Sequence, residues 1–318
     1  MNILMITAND PAGMGIAFTN AINRYSEHRC RLVTSQDRYG IDFGKDIHLP
    51  DIHDDDFGEV EQLLKDADII HFHMLTDENS HLGPLVIRQY TKGKKILHHH
   101  HGHPDYLINV AAYNEKYRRL GRQVIVSTPD LLQIADNAAW VPNLVPINDV
   151  HYLPRFEESL PPGPLKICQA PTRKFDKHTD VFCRVFLRLR MEYPHIEQVI
   201  LERMNHLDCL NSKKTCHIVF DHMRGWFGIS SLESLCQGKP VIAGLDDWNI
   251  KCIKEFTGTD ELPWQVARDE DALYRVLHTL IADRELRDAV GRKSREFMEQ
   301  HWTEQQALQV LLAVYAAL

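Results

Sequence analysis

Residues 1–34 read MNILMITANDPAGMGIAFTNAINRYSEHRCRLVT, and their order decides the fold class. The run Asn2–Thr7 is short and apolar. It breaks at Asn9-Asp10-Pro11-Ala12-Gly13, a loop composition. A helical pattern comes next, with Ile16, Ala17, Ala21 and Ile22 on one side, and a second apolar run covers Cys30–Thr34. Strand, loop, helix and strand in that order open a parallel sheet with crossover helices.

The same alternation continues along the chain. Strands are predicted at Ala67–Phe72, Lys95–His99, Gln123–Ser127 and, briefly, Trp140–Pro142, with a polar helix around Glu59–Lys65. From Pro142 to Pro164 the pattern stops. Six prolines (142, 146, 154, 161, 162 and 164) and Gly163 fall in that stretch, which reads as a linker. Strands resume at Leu165–Ala170, Gln198–Leu201, His217–Phe220, Pro240–Ala243 and Trp264–Ala267, with helices at Asp180–Tyr193 and Ser231–Gln237. The expected architecture is α/β, two Rossmann-like lobes with a cleft between them. Residues 1–145 form the first lobe, 146–164 the linker and 165–300 the second lobe. A closing helix over 301–318 carries Leu308, Leu311, Leu312, Tyr315 and Leu318 at helical spacing after the start signal Thr303-Glu304. The first lobe is the natural cover for that apolar stripe.

Composition narrows the class. With 44% hydrophobic and 25% charged residues, the 318-residue chain is ordinary for a soluble globular protein of two domains. The net charge of -8 argues against a general nucleic-acid binder, which needs clustered cations. No apolar run reaches membrane-spanning length, and the N-terminus lacks the basic start of a signal peptide. The seven cysteines, at 30, 168, 183, 209, 216, 236 and 252, form no C-x-x-C pair. They read as free thiols in a reducing compartment, so a cytoplasmic location is expected.

Several groups point to chemistry. Gly13-Met14-Gly15 lies between a strand and a helix, where a backbone can approach a phosphate. Phe18 stands where a dinucleotide fingerprint has its third glycine, so the turn also reads simply as a site of positive φ. The block from Cys216 to Gly244 holds a strand end, a glycine-bearing loop with Gly225 and Gly228, and a short helix starting near Ser230 and Ser231 and carrying Glu233. Amides at such a helix start suit a diphosphate, and a first-turn carboxylate suits either two ribose hydroxyls or the helix dipole. In the histidine run 98–101, alternation puts His99 and His101 on one face of a strand. Two imidazoles are too few for a closed metal site, so no metal is expected. Lys116, Arg118, Arg119 and Arg122 form a basic stretch, either a solvated helix face or a peripheral membrane contact. Asp54-Asp55-Asp56 and Asp246-Asp247 read as solvated turns rather than metal-binding carboxylates.

The segment GWFGISSLESLCQGKPVIA, residues 225–243, resembles the donor-site motif of group 1, retaining glycosyltransferases of the GT-B fold. Around it, Ala67–His73, Lys95–Gly102, Ser127-Thr128-Pro129, Trp140–Asn143 and Trp302-Thr303-Glu304 are similar to the family's other landmarks in the same order. The resemblance implies that Glu233 holds the donor ribose and that Gly228, Ser230 and Ser231 lie at its diphosphate. It implies that Arg173 and Lys177, with Lys174 as a substitute, neutralise the leaving diphosphate, and that His101 lies near the transferred sugar. His71 and His73 would line the same cleft, with Gly13 and Gly15 on the donor. The family's first Glu falls at Gly225, a departure.

The resemblance thus predicts a glycosyltransferase. It would take a nucleotide-diphosphate sugar of UDP or GDP type as co-substrate, with no other cofactor. The acceptor would be a glycan, a lipid-linked sugar or a small molecule, and transfer would proceed with retention and without a metal. A nucleotide-sugar epimerase or hydrolase, and a non-catalytic nucleotide- or glycan-binding protein, are the rival readings.

Overall fold

The computed structural model describes residues 1–10, 12–36, 43–53 and 56–318. Pro11 of the first loop and Asp54 and Asp55 of the acidic turn lie outside the described residues. The chain divides into two compact units, Met1–Leu144 with Glu304–Leu318, and Val145–Thr303.

Unit 1 alternates strands and helices: β1 (Asn2–Thr7), α1 (Met14–Tyr25), β2 (Arg29–Thr34), β3 (Ile47–His48), α2 (Gly58–Asp66), β4 (Ile69–His73), a hairpin of β5 (His81–Leu82) and β6 (Leu85–Val86), β7 (Lys95–His100), α3 (Pro104–Ile108), α4 (Val110–Leu120), β8 (Gln123–Val126) and β9 (Ala138–Trp140). Seven of these strands form one parallel sheet in the order β3-β2-β1-β4-β7-β8-β9. A parallel sheet must be covered on both faces. On one face Leu4, Ile6, Val33, Ile70 and Phe72 pack with Val60 and Leu64 of α2. On the other lie Met5, His71 and His99, against α1 and the C-terminal helix Glu304–Ala317. That helix buries Ala307, Leu308, Leu311 and Tyr315 and packs beside α1 within unit 1. Each large side chain so covered contributes on the order of 1.5–3 kcal/mol.

Unit 2 repeats the scheme with β10 (Leu165–Gln169), α5 (Thr179–Glu192), β11 (Ile196–Ile200), α6 (His206–Lys214), β12 (Ile218–Phe220), α7 (Ile229–Cys236), β13 (Val241–Ala243), α8 (Asp247–Thr257), β14 (Gln265–Val266), α9 (Glu270–Ala282) and α10 (Arg284–His301). Its parallel sheet runs β11-β10-β12-β13-β14. Phe182, Val185, Phe186 and Leu189 of α5 and Leu273 and Leu277 of α9 pack with Ile167, Ile218 and Ile242 of the sheet.

The proline-rich stretch 146–164 belongs to unit 2 and is fastened to it. The buried Arg295 guanidinium donates to the carbonyls of Ile147, Tyr152 and Cys236, and Lys239 Nζ donates to Arg155 O. Arg287 forms a two-pronged pair with Glu157 at 2.7 Å on each arm. The prolines mark an irregular path rather than a free tether, because its carbonyls are claimed by cations of the unit it joins.

Each sheet reverses its strand order at one place, between β1 and β4 in unit 1 and between β10 and β12 in unit 2. In open α/β sheets ligands bind beyond the carboxyl ends of the strands at such a switch point.

Candidate functional site

The switch point of unit 2 lies past Gln169 and Phe220. Two loops leave from there, 170–178 and 221–228. Gln169 joins them, its side-chain amide donating to Lys177 O at 2.7 Å and Asp221 O at 3.1 Å. Phe227 anchors the second loop from below, with Trp264 at 5.2 Å and Trp302 at 5.6 Å between ring centroids.

Asp221 is the hub of this crevice. Its carboxylate accepts from Lys177 Nζ at 2.6 Å, the Gly228 amide at 2.6 Å and Ser231 Oγ at 2.8 Å. Burial would raise its pKa, but His222, Lys177 and the Gly228 amide outweigh it and hold the group well below the usual carboxylate range. Lys177 thus stands at the start of α7, and a Cβ added to Gly228 would come within 2.8 Å of its Nζ. Gly228 caps α7 without a side chain, and the amides of Ile229 and Ser230 have no partner among the described residues. That is the ordinary state of a first helical turn and the reason such turns attract anions. Arg173 lies in the neighbouring loop, half-exposed, with Asp176 at 3.6 Å. Lys174 pairs instead with Glu202 at 3.0 Å, and Arg224 reaches Asp176 at 2.7 Å.

Glu233 sits one turn further along α7 and is buried. It forms an ion pair with the fully buried Lys213 of α6 and accepts from His206 Nε2 at 2.6 Å. Burial works against its charge, yet Lys213 and His206 prevail and bring its pKa to about 2. Lys213 also donates to Ser230 Oγ at 3.3 Å. Nothing in the sequence singles out Lys213, because a lysine at a helix end normally reads as solvated. Its burial is visible only once α6 packs on α7.

The departure at Gly225 has a structural cause. Gly225 has φ +89°, and a Cβ there would lie 2.8 Å from Asp246 Oδ2. The backbone of this loop therefore favours glycine at the place of the family's first Glu. Asp246 is the N-cap of α8, with Oδ1 accepting from the Asn249 amide at 2.7 Å.

In unit 1 the expected anion cradle at Gly13 and Gly15 is already occupied. Asp10 accepts from the Gly15 amide at 3.0 Å and the Ile16 amide at 2.9 Å. An outside phosphate would have to displace that carboxylate. Gly13 does take positive φ, +66°, as a tight turn requires.

His71 and His73 at the end of β4 and His99 near the end of β7 share one face of the sheet, and His101, just past β7, packs beside His73 and His99. The register pairs His73 with His99 directly. His73 Nδ1 lies 3.0 Å from His101 Nε2, and His71 Nδ1 lies 2.7 Å from Tyr315 Oη. The count of two imidazoles per face holds for one strand alone, and neighbouring strands bring four together. Burial lowers the pKa of His101 to about 4, so its ring is neutral near pH 7. On the opposite face His100 bonds Tyr117 Oη at 2.9 Å and stacks on Tyr106.

Two of the four cations in the basic stretch are paired with carboxylates. Lys116 pairs with Asp77 at 2.5 Å, and Arg118 pairs with Glu115 at 2.5 Å and Asp136 at 2.7 Å. Among the described residues no helix is long and apolar enough to cross a membrane, and all seven cysteines are free thiols.

No protein-family model matches the chain, and no curated protein matches it in sequence. Solved structures do match it in shape. Anabaena HepE, in complex with UDP-glucose, superimposes with a TM-score of 0.66 at 12% identity over 100% of both chains. The chain has the GT-B fold. A glycosyltransferase from Rickettsia africae gives 0.62 at 14% identity, covering 99% of this chain and 97% of its own. UDP-GlcNAc 2-epimerase from Neisseria meningitidis, bound to UDP-GlcNAc, gives 0.55 at 12% identity over 100% of both. These GT-B structures share architecture with the chain rather than sequence, so its function rests on the site itself.

Proposed function

We propose that the protein is a glycosyltransferase that transfers a sugar from a nucleotide-diphosphate sugar, of UDP or GDP type, to a glycan, lipid-linked or small-molecule acceptor. The observation that carries this reading is at the switch point of unit 2. There Lys177 and the open amides of Ile229 and Ser230 stand at the start of α7, and Arg173 lies in the neighbouring loop that bears Lys177. A departing nucleoside diphosphate concentrates negative charge, and fixed donors of this kind stabilise it as the glycosidic bond breaks. The solved GT-B structures that hold UDP or a UDP-sugar support the choice of ligand.

In this reading Lys177 exchanges part of its pairing with Asp221 for the diphosphate, while Asp221 keeps the α7 start in place through Gly228 and Ser231. Glu233 is assigned to the ribose hydroxyls, with Lys213 keeping its carboxylate ionised. His101 is assigned to the transferred sugar as a neutral hydrogen-bonding ring. The cations and amides at the diphosphate would do the work of a divalent ion there. Retention of configuration belongs to the same proposal and rests on the resemblance. The pairing of Lys116 and Arg118 with carboxylates weakens the case for membrane attachment, and a cytoplasmic location is part of the proposal.

The epimerase with the same fold favours one second reading, in which a nucleotide sugar is consumed with no acceptor. The experiment is a labelled-sugar assay with UDP- and GDP-sugars. Label moving onto an added glycan, lipid-linked or small-molecule acceptor supports transfer. A labelled sugar that isomerises or is hydrolysed at the same rate with and without acceptor would replace transfer by the second reading.

A further inference from the structure

Three buried histidines on one face of the unit 1 sheet are left with unused nitrogens. His71 Nε2, His73 Nε2 and both ring nitrogens of His99 have no hydrogen-bond partner among the described residues. All three side chains are essentially sealed from solvent, at 0%, 1% and 0% exposure. Buried polar atoms are nearly always satisfied, so a cluster of orphans on adjacent rings calls for an occupant.

We propose that His71, His73 and His99 form a binding site for one divalent transition-metal ion of the zinc class. One nitrogen from each ring lies within 4.8 Å of the others. A tetrahedral ion with Zn–N bonds of about 2.0–2.1 Å holds its ligands roughly 3.4 Å apart. Ligation therefore needs a short inward movement and a tilt of the His71 and His73 rings, now stacked at 4.4 Å between centroids. No bulky rearrangement of β4 or β7 is involved, because His73 and His99 are direct cross-strand partners.

The outer contacts suit this role. A histidine that ligates through Nε2 commonly uses Nδ1–H to bond a second group, which fixes tautomer and orientation. His71 Nδ1 has Tyr315 Oη at 2.7 Å, and His73 Nδ1 has His101 Nε2 at 3.0 Å. Both Nε2 atoms then carry the lone pair. An all-imidazole set suits zinc, copper or nickel and disfavours magnesium or calcium, which take oxygen ligands. Three protein nitrogens leave a fourth position open, on the side of the sheet covered by α1 and the C-terminal helix. The three histidines belong to unit 1, and the proposal does not depend on the donor reading of unit 2.

The test uses the full chain, stripped with a chelator and titrated with zinc and then with cobalt(II) as a visible reporter. The expected result is one zinc per chain after gel filtration and a cobalt spectrum of a tetrahedral nitrogen-ligated ion. His99→Gln should lose both, while His98→Gln, on the opposite face, should keep both. Because a buried variant can fail to fold, circular dichroism accompanies each one. Imidazole NMR of the wild-type chain supplies an independent readout, with His71, His73 and His99 resonances expected to shift at one equivalent of zinc. Zinc retained equally by folded His99→Gln and wild type would place the ion on surface histidines and overturn the proposal. Absence of stoichiometric zinc, with those resonances unmoved, would leave ordered water as the occupant and overturn it as well.

Discussion

Tyr315 Oη lies 2.7 Å from His71 Nδ1, a hydrogen bond between side chains 244 residues apart in sequence. It joins the C-terminal helix to β4 of the same unit and closes the buried face over the histidines. Tyr315→Phe keeps the ring and removes the bond, leaving a buried imidazole nitrogen unpaired. A loss of about 1–3 kcal/mol is expected, read as a lower denaturation midpoint. Deleting residues 304–318 should cost far more, since it also exposes the surface covered by Leu308 and Leu311. Hydrogen exchange should then rise across β1 and β4.

The Glu233–Lys213 pair predicts an asymmetric mutational response. Glu233→Gln leaves the fully buried Lys213 ammonium without its partner and should cost about 3–5 kcal/mol. Replacing both, as Glu233→Gln with Lys213→Met, should recover most of that loss in urea denaturation. Equal loss from the single and double variants would show that the pair is not coupled.

Acid should destabilise unit 2 through the same carboxylates. Glu233 titrates at about 2 in the fold, below its ordinary value of 4.5, and Asp221 is also depressed. An unfolded chain therefore binds more protons over this interval. The stabilisation is complete above about pH 4.5 and drains away as pH falls toward 2. Denaturation midpoints measured from pH 6 to pH 2.5 should fall, and in the Glu233→Gln, Lys213→Met protein the fall should be shallower.

Gly225→Glu would restore the residue that the resembling family carries. The left-handed backbone and Asp246 Oδ2 predict strain instead. A stability loss of about 1–3 kcal/mol is expected, with no gain in donor affinity. Thermal denaturation and a nucleotide titration of the variant check both parts.

Much of this architecture was legible from apolar runs. Asn2–Thr7 and the region before Gln169 are strands because a parallel sheet buried on both faces needs uninterrupted apolar segments. The two-residue β3 and the hairpin β5–β6 were not legible, because pairs such as Ile47–His48 are too short to show any period. Among the candidate residues, Arg173, Lys177 and Glu233 stand out in the sequence through the resemblance to the family's motifs, but Asp221, Lys213 and Asp10 do not. Their roles come from three-dimensional neighbours: the α7 amides, the α6–α7 contact and the start of α1. The four-histidine face was hidden for the same reason. Alternation gives the face of one strand, whereas the β4–β7 register decides which rings meet.

The central claim is that unit 2 holds a nucleoside diphosphate at the start of α7, and isothermal titration of the full chain with UDP and GDP tests it most directly. One site per chain is predicted for at least one of them. Affinity should fall with added salt, and by roughly 10- to 100-fold in Arg173→Ala, whose side chain is half-exposed, with circular dichroism checking that the variant is folded. No heat from either nucleotide at millimolar concentration, or binding that is unchanged in Arg173→Ala and insensitive to salt, would contradict the account.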